Sequence, residues 1–152
     1  MKTPKEQKII TKQVSKRLEE LRPFQAETRG ISSWIEYVRL GLGMSLTQLA
    51  EKLGVAQSSL SSSVKLEKEG RITIHKLKEI AEAMECDLVY GFVPRKKIED
   101  IIRDQAIKKT IKLMNETETH MSLEDQKVKI EKEERLEDLV QERIYSKYLW
   151  DQ

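Results

Sequence analysis

The segment MSLTQLAEKLGVAQSSLSSSVKLE, at residues 44–67, constrains the fold more than any other part of the 152-residue chain. Ser45 can cap a short helix over residues 46–53, and Gly54 then ends it, because glycine adopts the positive φ that a chain reversal needs. A second helix follows over residues 57–67. The inward-facing positions are apolar or small: Leu49, Ala50, Val55 and Leu60. This pattern predicts two short helices joined by a tight turn, with the start of the second helix projecting outwards.

The neighbouring residues extend this pair into a helical domain over residues 31–94. Ser32 or Ser33 can cap a preceding helix, which ends near Gly41 and Gly43. Thr73 can cap a following helix. The inner face of that following helix is expected to carry Ile74, Leu77, Ile80, Ala81 and Met84.

The run LVYGFV at residues 88–93 is short, apolar and rich in β-forming residues, and Pro94 bounds it. It predicts one short strand. A lone strand has unpaired backbone groups along both edges, so pairing with the same strand of a second subunit would satisfy one edge. Pairing inside the monomer and a buried extended connector are the alternatives.

Helical regions are also predicted on both sides of this domain. Residues 1–30 predict an N-terminal helix that Pro23 ends, followed by a linker over residues 23–30, and they hold eight Lys or Arg against four Asp or Glu. The apolar stripe of that helix comprises Ile10, Val14, Leu18 and Leu21. Residues 95–152 predict a C-terminal helical extension with a loop at 115–122. Its two apolar stripes comprise Ile98, Ile101, Ile102, Ala106 and Met114, and then Leu136, Leu139, Val140, Ile144 and Tyr148.

The outward face at the start of the 57–67 helix is polar and small. The candidate base-contacting residues are Gln57, Ser58, Ser59, Ser61 and Ser62. Glutamine can form a bidentate pair with adenine, and a serine hydroxyl can donate to or accept from a base edge. None of these side chains is bulky or acidic, so a close approach to DNA in the major groove is permitted.

A second set of residues is suited to the phosphate backbone. The candidates are Ser45, Thr47, Gln48, Lys65, Lys68 and Arg71. The first three begin the preceding helix, whose free N–H groups favour an anion, and the last three can reach flanking phosphates. The alternative is an ordinary pair of helices in a helical bundle, without a ligand.

Other classes of site find little support. Cys86 is the only cysteine, and His75 and His120 have no companions at ligand spacing, so no metal and no cofactor are expected. The chain has no glycine-rich phosphate loop, nucleophile elbow or Cys/His pair, which argues against an enzyme. It has no apolar run of membrane-spanning length, and the start MKTPKEQKII has no apolar stretch of signal-peptide length. We therefore expect a cytoplasmic protein without a membrane partner.

Residues 34–85 resemble the helix-turn-helix domain shared by phage Cro and repressor proteins and by many antitoxins. The resemblance is carried by QLAEKLGV, by the Gln57-Ser58 pair after it, and by IHKLKEIAEAMECDL. Three positions depart from the pattern. Leu46 stands where a DNA-contacting Gln is frequent, Ala56 where Ser or Thr usually caps the recognition helix, and Val64 where Glu is common.

A wider resemblance covers nearly the whole chain. The segments GISSWIEYVRLGLGMSLTQLAEKLGV, CDLVYGFVPR and HMSLEDQ, the last at residues 120–126, resemble the family named mobile mystery protein A. That resemblance implies a gene pair with a second protein carrying a Fic domain, a domain that usually transfers a nucleotide to a target protein. An antitoxin and a toxin are the implied roles.

The predicted fold is mainly α: a repressor-like five-helix helix-turn-helix domain with one short strand, plus N-terminal and C-terminal helices. The predicted function is sequence-specific DNA binding by a homodimer that represses its own toxin-antitoxin-like gene pair. The alternative is an antitoxin that binds and neutralises a Fic-domain partner protein. Candidate dimer or partner contacts are Leu88, Tyr90, Phe92, Leu136, Leu139, Ile144 and Tyr148.

Overall fold

The computed structural model describes residues 2–118 and 127–151, and over these ranges it is built from helices without a strand. The predicted mainly-α fold class is confirmed. In chain order the helices are α1 (Pro4–Glu19), α2 (Arg22–Glu27), α3 (Trp34–Gly41), α4 (Leu46–Leu53), α5 (Gln57–Lys68), α6 (Ile74–Ala83), α7 (Ile98–Glu118) and α8 (Lys127–Arg143). The chain divides into two compact units, one formed by Phe24–Gly91 and the other by Met1–Pro23 with Phe92–Gln152.

The Phe24–Gly91 unit packs α3, α4, α5 and α6 around one apolar core. Its buried residues are Ile35, Leu49, Ala50, Leu60, Val64, Ile80 and Met84. Leu49, Leu60 and Ile80 are each at most 1% exposed, so one residue from each of three helices meets at the centre. The predicted inner face of α6 is right at Ile80 and Met84 and wrong at Ile74, the first residue of the helix, which is 53% exposed.

Short polar side chains begin these helices, as the sequence predicts. The hydroxyls of Ser33, Ser45 and Thr73 each accept a hydrogen bond from the backbone N–H three residues on. Such caps satisfy donors that the first turn of a helix leaves without intrahelical acceptors. The start of each of these helices is therefore set by local sequence.

Residues 22–27 form α2, where the sequence predicted a linker. Pro23 is the second residue of this helix. The first turn of a helix tolerates proline, since the backbone N–H groups there have no intrahelical acceptor to lose. Pro23 therefore lies in the first turn of a new helix as well as beyond the end of α1.

The predicted strand at residues 88–93 is wrong for the described chain: these residues form neither strand nor helix. Val89, Tyr90 and Phe92 are 80%, 72% and 84% exposed. A strand requires a hydrogen-bonded partner, and the other elements of the described chain are helices. High β-propensity alone therefore does not make this segment a strand.

The second unit packs α1 and α8 against α7. Ile102, Ala106, Val140 and Leu149 form its buried core. The α7 helix continues to Glu118, into the predicted loop, whereas residues 119–126, which include the whole HMSLEDQ segment with His120, lie outside the described residues.

The apolar stripe predicted for α1 is partly wrong. Val14 is 41% exposed, whereas Thr11 and Ser15 are buried at 3% and 8% exposure. The Ser15 hydroxyl donates to the Glu99 carboxylate of α7 over 2.8 Å. The periodicity thus predicts the helix, but the buried side carries Thr11 and Ser15, and Ser15 is paired with a residue distant in the sequence.

Candidate nucleic-acid interface

The turn between α4 and α5 is built around Gly54. Gly54 has φ +66°, a left-handed conformation that side chains with a Cβ rarely adopt. Its N–H donates to the Glu51 carbonyl, and the Val55 N–H donates to the Ala50 carbonyl, each over 3.0 Å. These bonds end α4 and return the chain directly into α5, with Ala50 buried at 2% exposure.

The two sides of α5 differ in the way that the sequence predicts. Leu60, Ser63 and Val64 are buried against the core of the unit. All five candidate base-contacting residues are exposed: Gln57, Ser58, Ser59, Ser61 and Ser62. The structure therefore places small polar side chains together on the outer surface of one rigidly seated helix.

Ala56 begins α5 without a side-chain hydrogen bond. The first N–H groups of a helix lack full intrahelical acceptors. Here the Ser59 N–H donates to the Ala56 carbonyl over 3.0 Å, and no side chain caps the N–H groups of Gln57 and Ser58 before it. Free N–H groups and the positive end of the helix dipole favour an anion such as a phosphate oxygen. The departure of Ala56 from the usual Ser or Thr therefore leaves backbone donors at the start of α5.

Two candidate phosphate contacts at the start of α4 engage each other. The Ser45 hydroxyl accepts from the Gln48 N–H over 3.1 Å, and the Gln48 side-chain oxygen accepts from the Ser45 N–H over 2.8 Å. This reciprocal cap holds Gln48 by its carbonyl oxygen and leaves its NH₂ group as a donor. Both side chains are exposed, so they stand at the surface beside α5.

Thr47 bridges the two helices. Its hydroxyl donates to the side-chain oxygen of Gln57 over 3.1 Å, and both residues are exposed. The sequence placed Thr47 among the phosphate contacts and Gln57 among the base contacts, and the structure brings the two together.

The three basic candidates differ in their surroundings. Lys68 makes an ion pair of 2.6 Å with Glu36 of α3. The Arg71 guanidinium lies 3.5 Å from the Glu69 carboxylate, and the Arg71 side chain is 73% exposed. An ion pair this long and this exposed is weak. Lys65 is exposed and has no ion pair among the described residues. Lys65 and Arg71 are thus more available to a phosphate than Lys68.

Residues 35–90 match the family model described as Helix-turn-helix. These residues form a helix-turn-helix domain. The family is one of DNA-binding regulators and not of enzymes, so the domain supports DNA binding and transcription regulation. The matched residues make up less than half of the chain. No curated protein and no solved structure matches the chain.

Glu67 is a residue of the helix-turn-helix domain that the sequence did not single out. Its carboxylate accepts from the Ser33 hydroxyl over 2.5 Å and from the Trp34 and Ile35 N–H groups over 2.7 and 3.3 Å. The last full turn of α5 is thereby tied to the start of α3. One sequence signal could have indicated this contact: Glu67 lies on the same helical face as the inward-facing Leu60 and Val64. A half-buried carboxylate needs hydrogen-bond donors, so a partner for it was to be expected.

The aromatic residues near this contact lie at the surface of the domain. Trp34 is 41% exposed and stacks on Phe24, with ring centroids 5.9 Å apart and planes 6° apart. The Tyr37 ring contacts the Trp34 ring edge-on, with ring centroids 6.0 Å apart. Trp150 of the other unit is 61% exposed.

The candidate dimer or partner contacts fall into three groups. Tyr90, Phe92 and Tyr148 are 72%, 84% and 57% exposed. Leu88 and Leu139 are half-buried. Leu136 and Ile144 pack against the core of their own unit, which leaves less of each for a partner.

Within the described residues there is no group of His, Cys, Asp or Glu side chains that could hold a metal ion. Over the same part of the chain, none of the helices combines the length and the apolar character needed to cross a membrane.

Proposed function

We propose that this protein binds operator DNA as a homodimer and represses transcription of its own gene pair, with α5 as the recognition helix. The observation that carries the proposal is the exposed polar surface of α5 beside the start of α4, within residues that match the helix-turn-helix family. A helix of this width enters the major groove, where base edges can be distinguished.

The proposed contacts divide by chemistry. Gln57 and Ser58 open the recognition helix and reach base edges, whereas the uncapped N–H groups after Ala56 and the NH₂ group of Gln48 donate to phosphates. Lys65 and Arg71 add charge at the flanks. Phosphate contacts set the register of the helix on the duplex, and base contacts select the sequence.

A second copy of the chain is the proposed dimer partner, and the segment at residues 88–93 supports it. Three large apolar side chains there, Val89, Tyr90 and Phe92, are at least 72% exposed. Exposed apolar side chains grouped in this way are typical of interaction surfaces. Antiparallel pairing of two such segments about a two-fold axis would cover them and would give the backbone there the partner strand that the described residues do not provide.

The second candidate function is neutralisation of a Fic-domain partner. The resemblance to mobile mystery protein A supports it, and so does the existence of a second compact unit besides the one that holds α4 and α5. That unit exposes Tyr148 and Trp150, at 57% and 61%. Loss of partner binding on changing these residues, with DNA binding retained, would support this candidate.

A mobility-shift titration with the upstream DNA of the gene pair and a scrambled duplex tests the main proposal. The wild-type protein should prefer the upstream DNA, and Gln57→Ala should lower that specific affinity by about 1–3 kcal/mol with little change on the scrambled duplex. Gln25→Ala, an exposed glutamine of α2, is the matched control and should change neither. Equal affinity of the wild type for both duplexes would contradict the proposal.

A further inference from the structure

We infer that Thr47 is a positioning residue for base recognition: its hydroxyl holds the side-chain amide of Gln57 in the orientation that reads adenine. The inference rests on the proposed function and assigns Thr47 a role other than contact with a phosphate. The observation is the 3.1 Å hydrogen bond from the Thr47 hydroxyl to the side-chain oxygen of Gln57, which joins the second residue of α4 to the first of α5.

The backbone on both sides of this bond is held in place. Leu46, immediately before Thr47, packs against the apolar core, and Ser45 and Gln48 are fixed by their reciprocal cap. Across the turn, Gly54 returns the chain and Leu60 anchors α5 at 1% exposure. The two side chains therefore meet because two seated helices present them to each other.

The chemistry of the amide explains why this contact matters. A bidentate pair with adenine needs the glutamine oxygen to accept from N6 and the glutamine NH₂ group to donate to N7. A free glutamine amide rotates about its last torsion and presents its two ends in either order. The side-chain oxygen has two lone pairs, so it can accept from Thr47 and from a base at once. The Thr47 hydroxyl fixes which end of the amide lies towards α4 and leaves an acceptor and a donor for the base.

The side chains that neighbour Gln57 on α5 are compatible with this role. Serine side chains follow Gln57 on α5, and the nearest one-turn neighbour, Ser61, is exposed. The Ser62 hydroxyl donates to the Ser58 carbonyl over 3.0 Å, so its hydrogen is already used within the helix. Among the described residues, Thr47 is thus the side chain that hydrogen-bonds to the Gln57 amide.

Thr47→Val removes the hydroxyl and keeps the branched shape, and Thr47→Ser restores a hydroxyl. Each is measured by titration against the operator, against operators in which the base pair opposite Gln57 is changed, and over a series of salt concentrations. We expect Thr47→Val to lower discrimination for adenine about two- to tenfold, the range that one net hydrogen bond provides, with an unchanged salt slope. Thr47→Ser should recover most of it.

A double-mutant cycle separates this role from the others. In a Gln57→Ala background, Thr47→Val should have no further effect on discrimination, because the positioned amide is gone. Additive losses would overturn the inference. Uniform weakening on every duplex with a lower salt slope would also overturn it and would identify Thr47 as a phosphate contact. Absence of specific binding by the wild type would instead contradict the proposed function.

Discussion

Replacing Glu67 with alanine removes three hydrogen bonds from the start of α3, and the structure gives a scale for the loss. The carboxylate accepts from the Ser33 hydroxyl at 2.5 Å and from the Trp34 N–H at 2.7 Å, with a longer bond of 3.3 Å from the Ile35 N–H. A hydrogen bond to a charged group contributes about 1.5–3 kcal/mol, and a carboxylate at a helix N-terminus adds about 0.3–1 kcal/mol. These values do not add in full, since the freed N–H groups regain water.

We therefore expect Glu67→Ala to lower the free energy of unfolding of the helix-turn-helix domain by about 2–4 kcal/mol. Urea titration followed by far-UV circular dichroism gives this free energy, with the fluorescence of Trp34 as a second probe. Trp150 contributes to the same emission, so the titration is run in a Trp150→Phe background. Each 1 kcal/mol lowers the melting temperature of a domain of this size by about 4–8 °C.

Glu69→Ala is the matched control, because Glu69 lies two residues on and, among the described residues, its side chain makes a 3.5 Å contact with the exposed Arg71. It should cost less than about 0.5 kcal/mol. Glu67→Gln keeps the shape and one acceptor oxygen, and it should fall between the two. A cost for Glu67→Ala equal to that of Glu69→Ala would refute the reasoning.

Three further predictions concern the turn, the phosphate contacts and the dimer. Gly54→Ala should lower the free energy of unfolding by about 1–2 kcal/mol in the same urea titration, because φ is positive at that position. Gly41→Ala, where φ is not positive, should not lower it, and equal effects of the two changes would contradict this prediction. Lys65→Ala and Arg71→Ala should each weaken binding to all duplexes and reduce the salt slope by about 0.9, and an unchanged slope for both would remove them from the phosphate contacts. Phe92→Ser should shift the mass in solution at micromolar concentration from dimer towards monomer, with Phe24→Ser as the exposed aromatic control; a wild-type monomer over that range would exclude the proposed dimer.

Local signals predicted the part of the fold that local interactions determine. Capping serines and threonine, the glycine turn at Gly54 and the apolar positions of α4 and α5 all act within a few residues, and the structure confirms them. The candidate base contacts followed from the same helical periodicity, and their shared exposure agrees with it. Whether they contact DNA stays a prediction.

Long-range contacts account for what the sequence missed. Glu67 reaches residues more than 30 positions away, and the partner of Ser15 is 84 positions away, so neither contact has a local pattern. The segment at residues 88–93 shows the opposite case, in which β-propensity is strong and no partner strand exists in the described chain. Pro23 is compatible both with a linker after α1 and with the first turn of a new helix. The structure has the new helix, α2.

The uncapped start of α5 affects how the free protein behaves. Five of the twelve residues of α5 are serines, which are poor helix formers, and Ala56 contributes no cap. The first turn of this helix is consequently where local opening costs least free energy, and its amide hydrogens should exchange with solvent sooner than those around Leu60. An anion placed on those amides would supply the missing acceptors, so a ligand at this end would complete the helix as well as bind to it.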